Sequence, residues 1–468
     1  MLDSFRIDQQ FSRDPKVERS LRHGIHDGVT FAAMGGLAEN YFSAFALLLK
    51  ASTAQIGLLA SLPPLLATLT QLLSVWFGAR TRHRRRIIVA GALLQAATLV
   101  PLVLLPWLFP EDPVDALLLL AVLYFIGPNI GAPMWGSLMG DLVPEERRGR
   151  YFALRTRLAS LSGFLALIGA GTVLHLFQTV GAAYWGFVTI FSLACAMRLV
   201  SAWHLAHLLD PPRVVVRQPM PISRDLWQRL RNSELVPFSL FFACMQFSVA
   251  ISGPYFALYM LRDLNYSYFE FMLNSAVTIC FQFLTLNRWG RISDLFGNRL
   301  VLRTTGLLIP LLPLSWLVST NFWYLLFVQA ASGLVWAGFT LSASNSVFEL
   351  TPADRRATLM AYHSVLAAVA VFAGASIGGW LGTHLPTEVT LGGTTWAWLT
   401  PLYGGMVLSA LLRVVTNLVF LPRLKEHRKV RRMSMTGVIF RVTRFNPIAG
   451  LSFDLVDSFR RRRDEPPD

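Results

Sequence analysis

Charge is what this sequence has least of. Asp, Glu, Lys and Arg make up 15% of 468 residues against 54% hydrophobic ones, and mean hydropathy is +0.48. That leaves too little polar side chain to cover a water-soluble body of this length. Negative charge is scarcer still, 27 acidic residues against 42 basic, for a net charge of +15. Cysteine is nearly absent: Cys195, Cys244 and Cys280 each sit inside an apolar run, with no metal-ligand spacing among them. This excludes a thiolate metal site and leaves packing as their role. No Gly-x-x-x-x-Gly-Lys-Ser/Thr loop is present, which excludes nucleotide hydrolysis on this polypeptide. No metal, no cofactor and no enzymatic activity are expected. The first 24 residues are polar and charged, so no cleavable leader is expected either.

What fills the chain instead is apolar length. Crossing about 30 Å of hydrocarbon takes roughly 20 helical residues, because backbone groups out of reach of water must bond within their own segment. Twelve runs meet that requirement, at 25–49, 53–78, 87–109, 115–140, 153–176, 182–208, 236–261, 268–288, 300–319, 322–347, 358–384 and 398–421. We number them span 1 to span 12. Basic residues gather in the leading tail, in the connections after spans 2, 4, 6, 8 and 10, and in the closing tail. Only Lys50 and Arg262 occupy the other set of connections, and only Arg198 and Arg413 lie deep within spans, away from their ends. Cationic loops stay in the cytoplasm, so both termini are expected there, in a multi-pass protein of the inner, cytoplasmic membrane. The one-sided distribution also removes nucleic acid as a partner.

Sliding the chain along itself by roughly 210 residues brings landmarks into register. Tyr41–Phe45 falls opposite Tyr255–Tyr259, Gly78 opposite Gly290, and Pro144 opposite Pro352. Two homologous halves are the economical reading. The expected fold class is therefore all-α integral membrane, twelve transmembrane helices in two pseudo-symmetric six-helix bundles. The expected divisions are a cytoplasmic tail at 1–24, a first bundle at 25–209, a linker at 210–235, a second bundle at 236–422 and a basic tail at 423–468.

Two short motifs stand in the basic connections. Gly290, Arg291, Asp294, Gly297 and Arg299 follow span 8; Asp141, Pro144, Arg147, Arg148, Gly149 and Arg150 follow span 4, echoed by Glu349, Pro352, Arg355 and Arg356. Both resemble motifs of the major facilitator superfamily, and the resemblance covers about 25–422. It implies two bundles rocking about a central site lined by spans 1, 4, 7 and 10. Apart from any resemblance, a carboxylate near a helix amino terminus is stabilised by the helix dipole, and an arginine can fork onto the same group. Asp294 with Arg148 or Arg150 is the expected clamp between the halves. At the matching place in the first half stands Arg82, a cation where the dipole favours an anion. There the polarity is expected to be exchanged, with Glu349 or Asp354 as the acid.

Polar groups within spans cost several kcal/mol unless they meet a partner or a cavity, so they mark a pathway. Glu39 lies about 15 residues into span 1, with Gly35 and Ser43 one turn away on the same face. It is the expected coupling residue, exchanging a proton as access alternates. The plainer alternative is a hydrogen-bonded Glu39 that ties span 1 to Asn40 or to a neighbouring helix. Asn40, Tyr41, Asn129, Trp135, Gln246, Tyr255, Asn274, Gln282, Gln329 and His363 are candidate substrate contacts, each of which could instead be an interhelical hydrogen bond. Arg198 and Arg413 lie off the four lining spans and are expected at an interface or in helix pairing. Pro63-Pro64, Gly127-Pro128 and Gly253-Pro254 mark expected bends in spans 2, 4 and 7.

The linker carries Pro211, Pro212, Pro219 and Pro221 before an amphipathic stretch, Asp225 to Arg231, and the tail carries Val438, Ile439, Phe440, Val442 and Phe445 among arginines. Both are expected to rest on anionic lipid. Together these features predict a monomeric secondary carrier in the lipid bilayer, moving a small organic solute by alternating access with protons as the coupled ion. Two rivals stay open. One is a gradient-independent facilitator or lysolipid-type flippase, in which Glu39 would recognise an amine or a headgroup. The other is a non-transporting scaffold or sensor that keeps the architecture.

Overall fold

The computed structural model describes residues 10–78, 83–144, 147–211, 235–351, 356–385, 388–391, 394–397, 399–424, 426 and 434–443. Ten segments among them are helical, long and apolar enough to cross a membrane, and they correspond to spans 2 to 8 and 10 to 12. Spans 1 and 9 complete the twelve as interrupted helices. Span 1 runs Pro15–Ala38, takes a 3₁₀ turn at Glu39–Tyr41 and resumes at Phe42–Leu48. Span 9 runs Asn298–Leu308 and Leu311–Ser315, parted at Pro310.

Helix ends follow the local chemistry. Span 1 starts well before residue 25, because Asp14 caps it by accepting from the Lys16 N–H at 2.8 Å and Pro15 suits the first position. Span 8 runs Tyr268–Phe296, beyond the expected 288, so the Gly290–Asp294 motif rides on the helix and is not in a loop. Gly297 ends that helix at φ 88°, a conformation open to glycine, and span 9 begins at the next residue. Spans 2 and 4, Thr53–Gly78 and Pro113–Leu142, pass unbroken through Pro63, Pro64, Pro128 and Pro133. Span 7 does break: Leu235–Ala250 gives way to a turn at Gly253-Pro254, then to Tyr255–Leu258 and a π-helical stretch at Tyr259–Asp263. Between spans 11 and 12 a short antiparallel hairpin pairs Glu388–Leu391 with Thr394–Ala397. After span 12, Met435–Thr443 forms a helix that buries Val438 and Val442 against Trp289, Ile292, Phe296 and Val301.

Span 5 (Arg148–Thr179) packs on span 1, and spans 8 and 10 on each other, through small residues. A Cβ at Gly36 would collide with the Gly163 carbonyl, and one at Gly333 with the Thr278 carbonyl. Close backbone approach of this kind is how helices associate in lipid, where apolar burial supplies little preference. Spans 2 with 11 and 5 with 8 join the two bundles. One apolar core crosses between the bundles, uniting Tyr41, Phe42 and Phe45 with Tyr255, Leu258, Phe271 and Met272. At the other end, which carries the arginine-rich connections and is here called the basic face, the cores separate. One holds Leu21, Ile25, Leu138 and Tyr151 of the first bundle, and another holds Phe238, Phe241, Leu302 and Phe339 of the second.

Candidate functional site

Glu39 stands at the break in span 1. Met34, Gly36, Leu37, Ala38, Tyr41 and Phe42 around it are buried, yet Glu39 and Asn40 are exposed. Gly35 leaves room beside the carboxylate, since a Cβ there would lie 3.7 Å from it. Tyr124, fully buried on span 4, donates its hydroxyl to Glu39 Oε1 at 3.1 Å and lies 3.0 Å from Met34 Sδ. The carboxylate is thus exposed and held by one hydrogen bond from span 4. The 3₁₀ turn supplies the local irregularity that functional sites in helices often carry.

One helix length toward the basic face lies a second polar cluster, which sequence reading missed in part. Asp27 is 4% exposed and Arg198 is 3% exposed. Arg155 pairs with Asp27 at 3.3 Å, Ser201 donates to Asp27 at 2.8 Å, and Arg198 donates to Ser201 at 2.6 Å. Arg198 lies over the Phe31 ring at 4.8 Å, and Arg155 over Trp135 at 4.4 Å. Arg198 is thus engaged in helix pairing, as expected for a residue off the lining spans. Asp27 escaped notice because it sits at the edge of the apolar run; the signal available was an acid in span 1 matched by an unexplained cation in span 6.

The remaining candidates divide by geometry. Tyr41 donates to the Leu167 carbonyl at 2.7 Å and Tyr255 to the Ala375 carbonyl at 2.5 Å, so both hydroxyls serve helix packing. Asn129 donates to Phe125 O at 2.8 Å and the buried Asn274 to Glu270 O at 3.2 Å, each within its own helix. His363 meets Ser239 at 3.0 Å, tying span 11 to span 7. The Trp135 indole N–H is buried without a hydrogen-bond partner. Gln246, Gln282 and Gln329 are half-buried.

At the basic face each half builds the same constellation. Arg84, fully buried at the start of span 3, donates to Asp141 at 2.6 Å and Asp210 at 3.3 Å. Asp210 also accepts the Arg85 backbone N–H at 3.1 Å. In the second half Asn298 takes the place of Arg84 and donates to Glu349 at 2.8 Å, while Glu426 accepts the Arg299 N–H at 3.0 Å. The cation that needs acids in the first half is Arg84, and its acids come from its own half. Arg82 and Asp354 lie outside the described residues. Arg148 donates to Gly140 O at 3.0 Å, and Asp294 and Arg150 are exposed near the adjoining helix ends. The profile of the Major Facilitator Superfamily matches residues 28–252 and again 238–455.

The chain belongs to the Major Facilitator Superfamily.

The double match agrees with two related halves. Among solved structures of this superfamily fold, the nucleoside transporter NupG is 13% identical with a TM-score of 0.64, covering 87% of this chain and 100% of its own. A bacterial homologue of the iron transporter ferroportin, in an inward-facing state, is 16% identical with a TM-score of 0.66, covering 86% and 98%. A D-xylose-proton symporter is 14% identical with a TM-score of 0.61, covering 89% and 99%. At these identities the likeness is one of fold. A search of curated proteins finds no match.

Proposed function

We propose that this superfamily member is a proton-linked secondary carrier for a small organic solute, working by alternating access with Glu39 as the group that loads and releases the proton. The observation that carries the reading is an accessible carboxylate at the break of span 1, between otherwise buried turns. A membrane-embedded acid persists where it faces a water-filled space or a partner, and such acids mark ion pathways. Asn40, Gln246, Gln282 and Gln329, exposed or half-buried, are the residues we assign to substrate contact. The basic face is read as cytoplasmic, because cationic connections stay on that side. The separate cores there and the shared core opposite then correspond to a crevice open to the cytoplasm. Asp294 with Arg148 or Arg150 would close that face in the alternate state.

The test is solute uptake into proteoliposomes holding the purified protein. An imposed pH gradient is expected to accelerate uptake at least tenfold, and Glu39→Gln is expected to abolish the acceleration while leaving the protein folded. Uptake of equal rate with and without the gradient would refute the coupling and favour a facilitator.

A further inference from the structure

On the face away from the arginine-rich connections, a cavity of about 310 Å³ lies where the bundles meet. The first bundle contributes Leu47, Lys50 and Gln178, and the second Arg262, Tyr266 and Tyr268. Lys50 and Arg262 are the two cations that the sequence leaves in this set of connections, one from each bundle, and the structure brings both to one cavity. No Asp or Glu lines it among the described residues.

The polar lining consists of donors. Lys50, held at the end of span 1 at φ 64°, has no side-chain partner among the described residues. Gln178 Oε1 already accepts the Tyr268 N–H at 3.1 Å, which leaves its amide N–H groups to give. Tyr266 is 9% exposed and its hydroxyl has no hydrogen-bond partner. Burial pushes that hydroxyl up to about 12, so it stays protonated. Arg262 forks onto Asp263 at 2.6 and 3.3 Å and reaches Thr53 of the first bundle at 3.4 Å. The Tyr266 hydroxyl is the buried donor without an acceptor, a costly arrangement, while Lys50 and Gln178 are exposed; an anion here would accept from Tyr266 and be met by the Lys50 charge.

We propose that this cavity binds a compact anionic group, a carboxylate or phosphate, which bridges the two bundles and holds this face closed. The site lies farther along span 1 than Glu39, from Ala44 to Lys50, and does not depend on proton coupling. Two sources could supply the group: a soluble anion or an anionic lipid headgroup.

Thermal unfolding of the purified full chain in neutral detergent tests the proposal, with inorganic phosphate replacing chloride at constant ionic strength. A ligand that binds only the folded state raises the melting temperature in a saturable way. The expected result is a rise of several degrees in the wild type and in the basic-face control Arg157→Gln, none in Lys50→Gln, and a smaller one in Arg262→Gln. Lys50→Gln breaks no side-chain contact, so its melting in chloride is expected to match the wild type. A parallel arm compares nanodiscs of phosphatidylcholine with and without phosphatidylglycerol; a Lys50-dependent rise there alone assigns the headgroup as the source. Phosphate or phosphatidylglycerol is also expected to speed disulfide formation in Thr53→Cys/Gly382→Cys, and not when Lys50→Gln is added. Equal rises with and without Lys50, or no Lys50-dependent rise in either arm, overturns the proposal.

Discussion

Glu39 and Asp27 lie on one helix, roughly 18 Å apart at 1.5 Å per residue, and their surroundings give them different work. Asp27 is enclosed with Arg155, Ser201 and Arg198, whereas Glu39 has one hydrogen bond and an open side. Removing the acid from a buried charged cluster leaves its cations uncompensated, which typically costs about 3–5 kcal/mol. Asp27→Leu is therefore expected to lower the melting temperature sharply, and Glu39→Gln to leave it nearly unchanged, as read by scanning fluorimetry in one detergent. Glu39 was legible in the sequence because an acid so deep in an apolar run has few explanations. The Asp27 cluster was not, because its members come from spans 1, 5 and 6 and share no local pattern.

Breaks interrupt spans 1, 3, 7 and 9 among the described residues, and span 12 (Leu402–Phe420) repairs those of spans 7 and 9. Pro310 and Pro313 lack the N–H groups that would bond the carbonyls of Gly306 and Ile309. Asn417 donates to Gly306 O at 2.5 Å and Arg413 to Ile309 O at 3.2 Å. Arg413 also reaches Ser252 at 3.1 Å, and Ser409 donates to Ser248 O at 2.5 Å, beside the break of span 7. Ser409, Arg413 and Asn417 stand one turn apart on one buried face, a polar ladder that replaces lost backbone bonds. Arg413→Leu is expected to raise amide hydrogen exchange about tenfold or more at 248–254 and 305–311 while spans 2 to 6 keep wild-type rates; a uniform rise would contradict the ladder. From the sequence, Arg413 read as an interfacial or pairing cation, and Pro310 with Pro313 attracted no notice. Proline reports that a bond is missing, and the sequence has no local sign of what replaces it.

For the whole molecule, the bundles share one core on one face and have separate cores on the other. A Cβ at Gly382 would stand 3.8 Å from Thr53 Cβ, the separation a disulfide needs. In a background lacking the three native cysteines, Thr53→Cys/Gly382→Cys is expected to crosslink spontaneously and stop uptake until reduced. Asp294→Cys/Arg148→Cys is expected to crosslink only when the first pair stays open. Composition, apolar run length and the one-sided arginines were enough to give the membrane class and the twelve spans, because lipid imposes those requirements on each segment separately; the duplicated halves came from landmarks recurring at nearly one offset. Which charges pair, which of the prolines interrupt their helices, and whether the Gly290–Asp294 motif rides on a helix were decided only in the folded chain. Those outcomes depend on side chains and freed carbonyls from distant spans meeting in a medium that offers no water as a substitute partner.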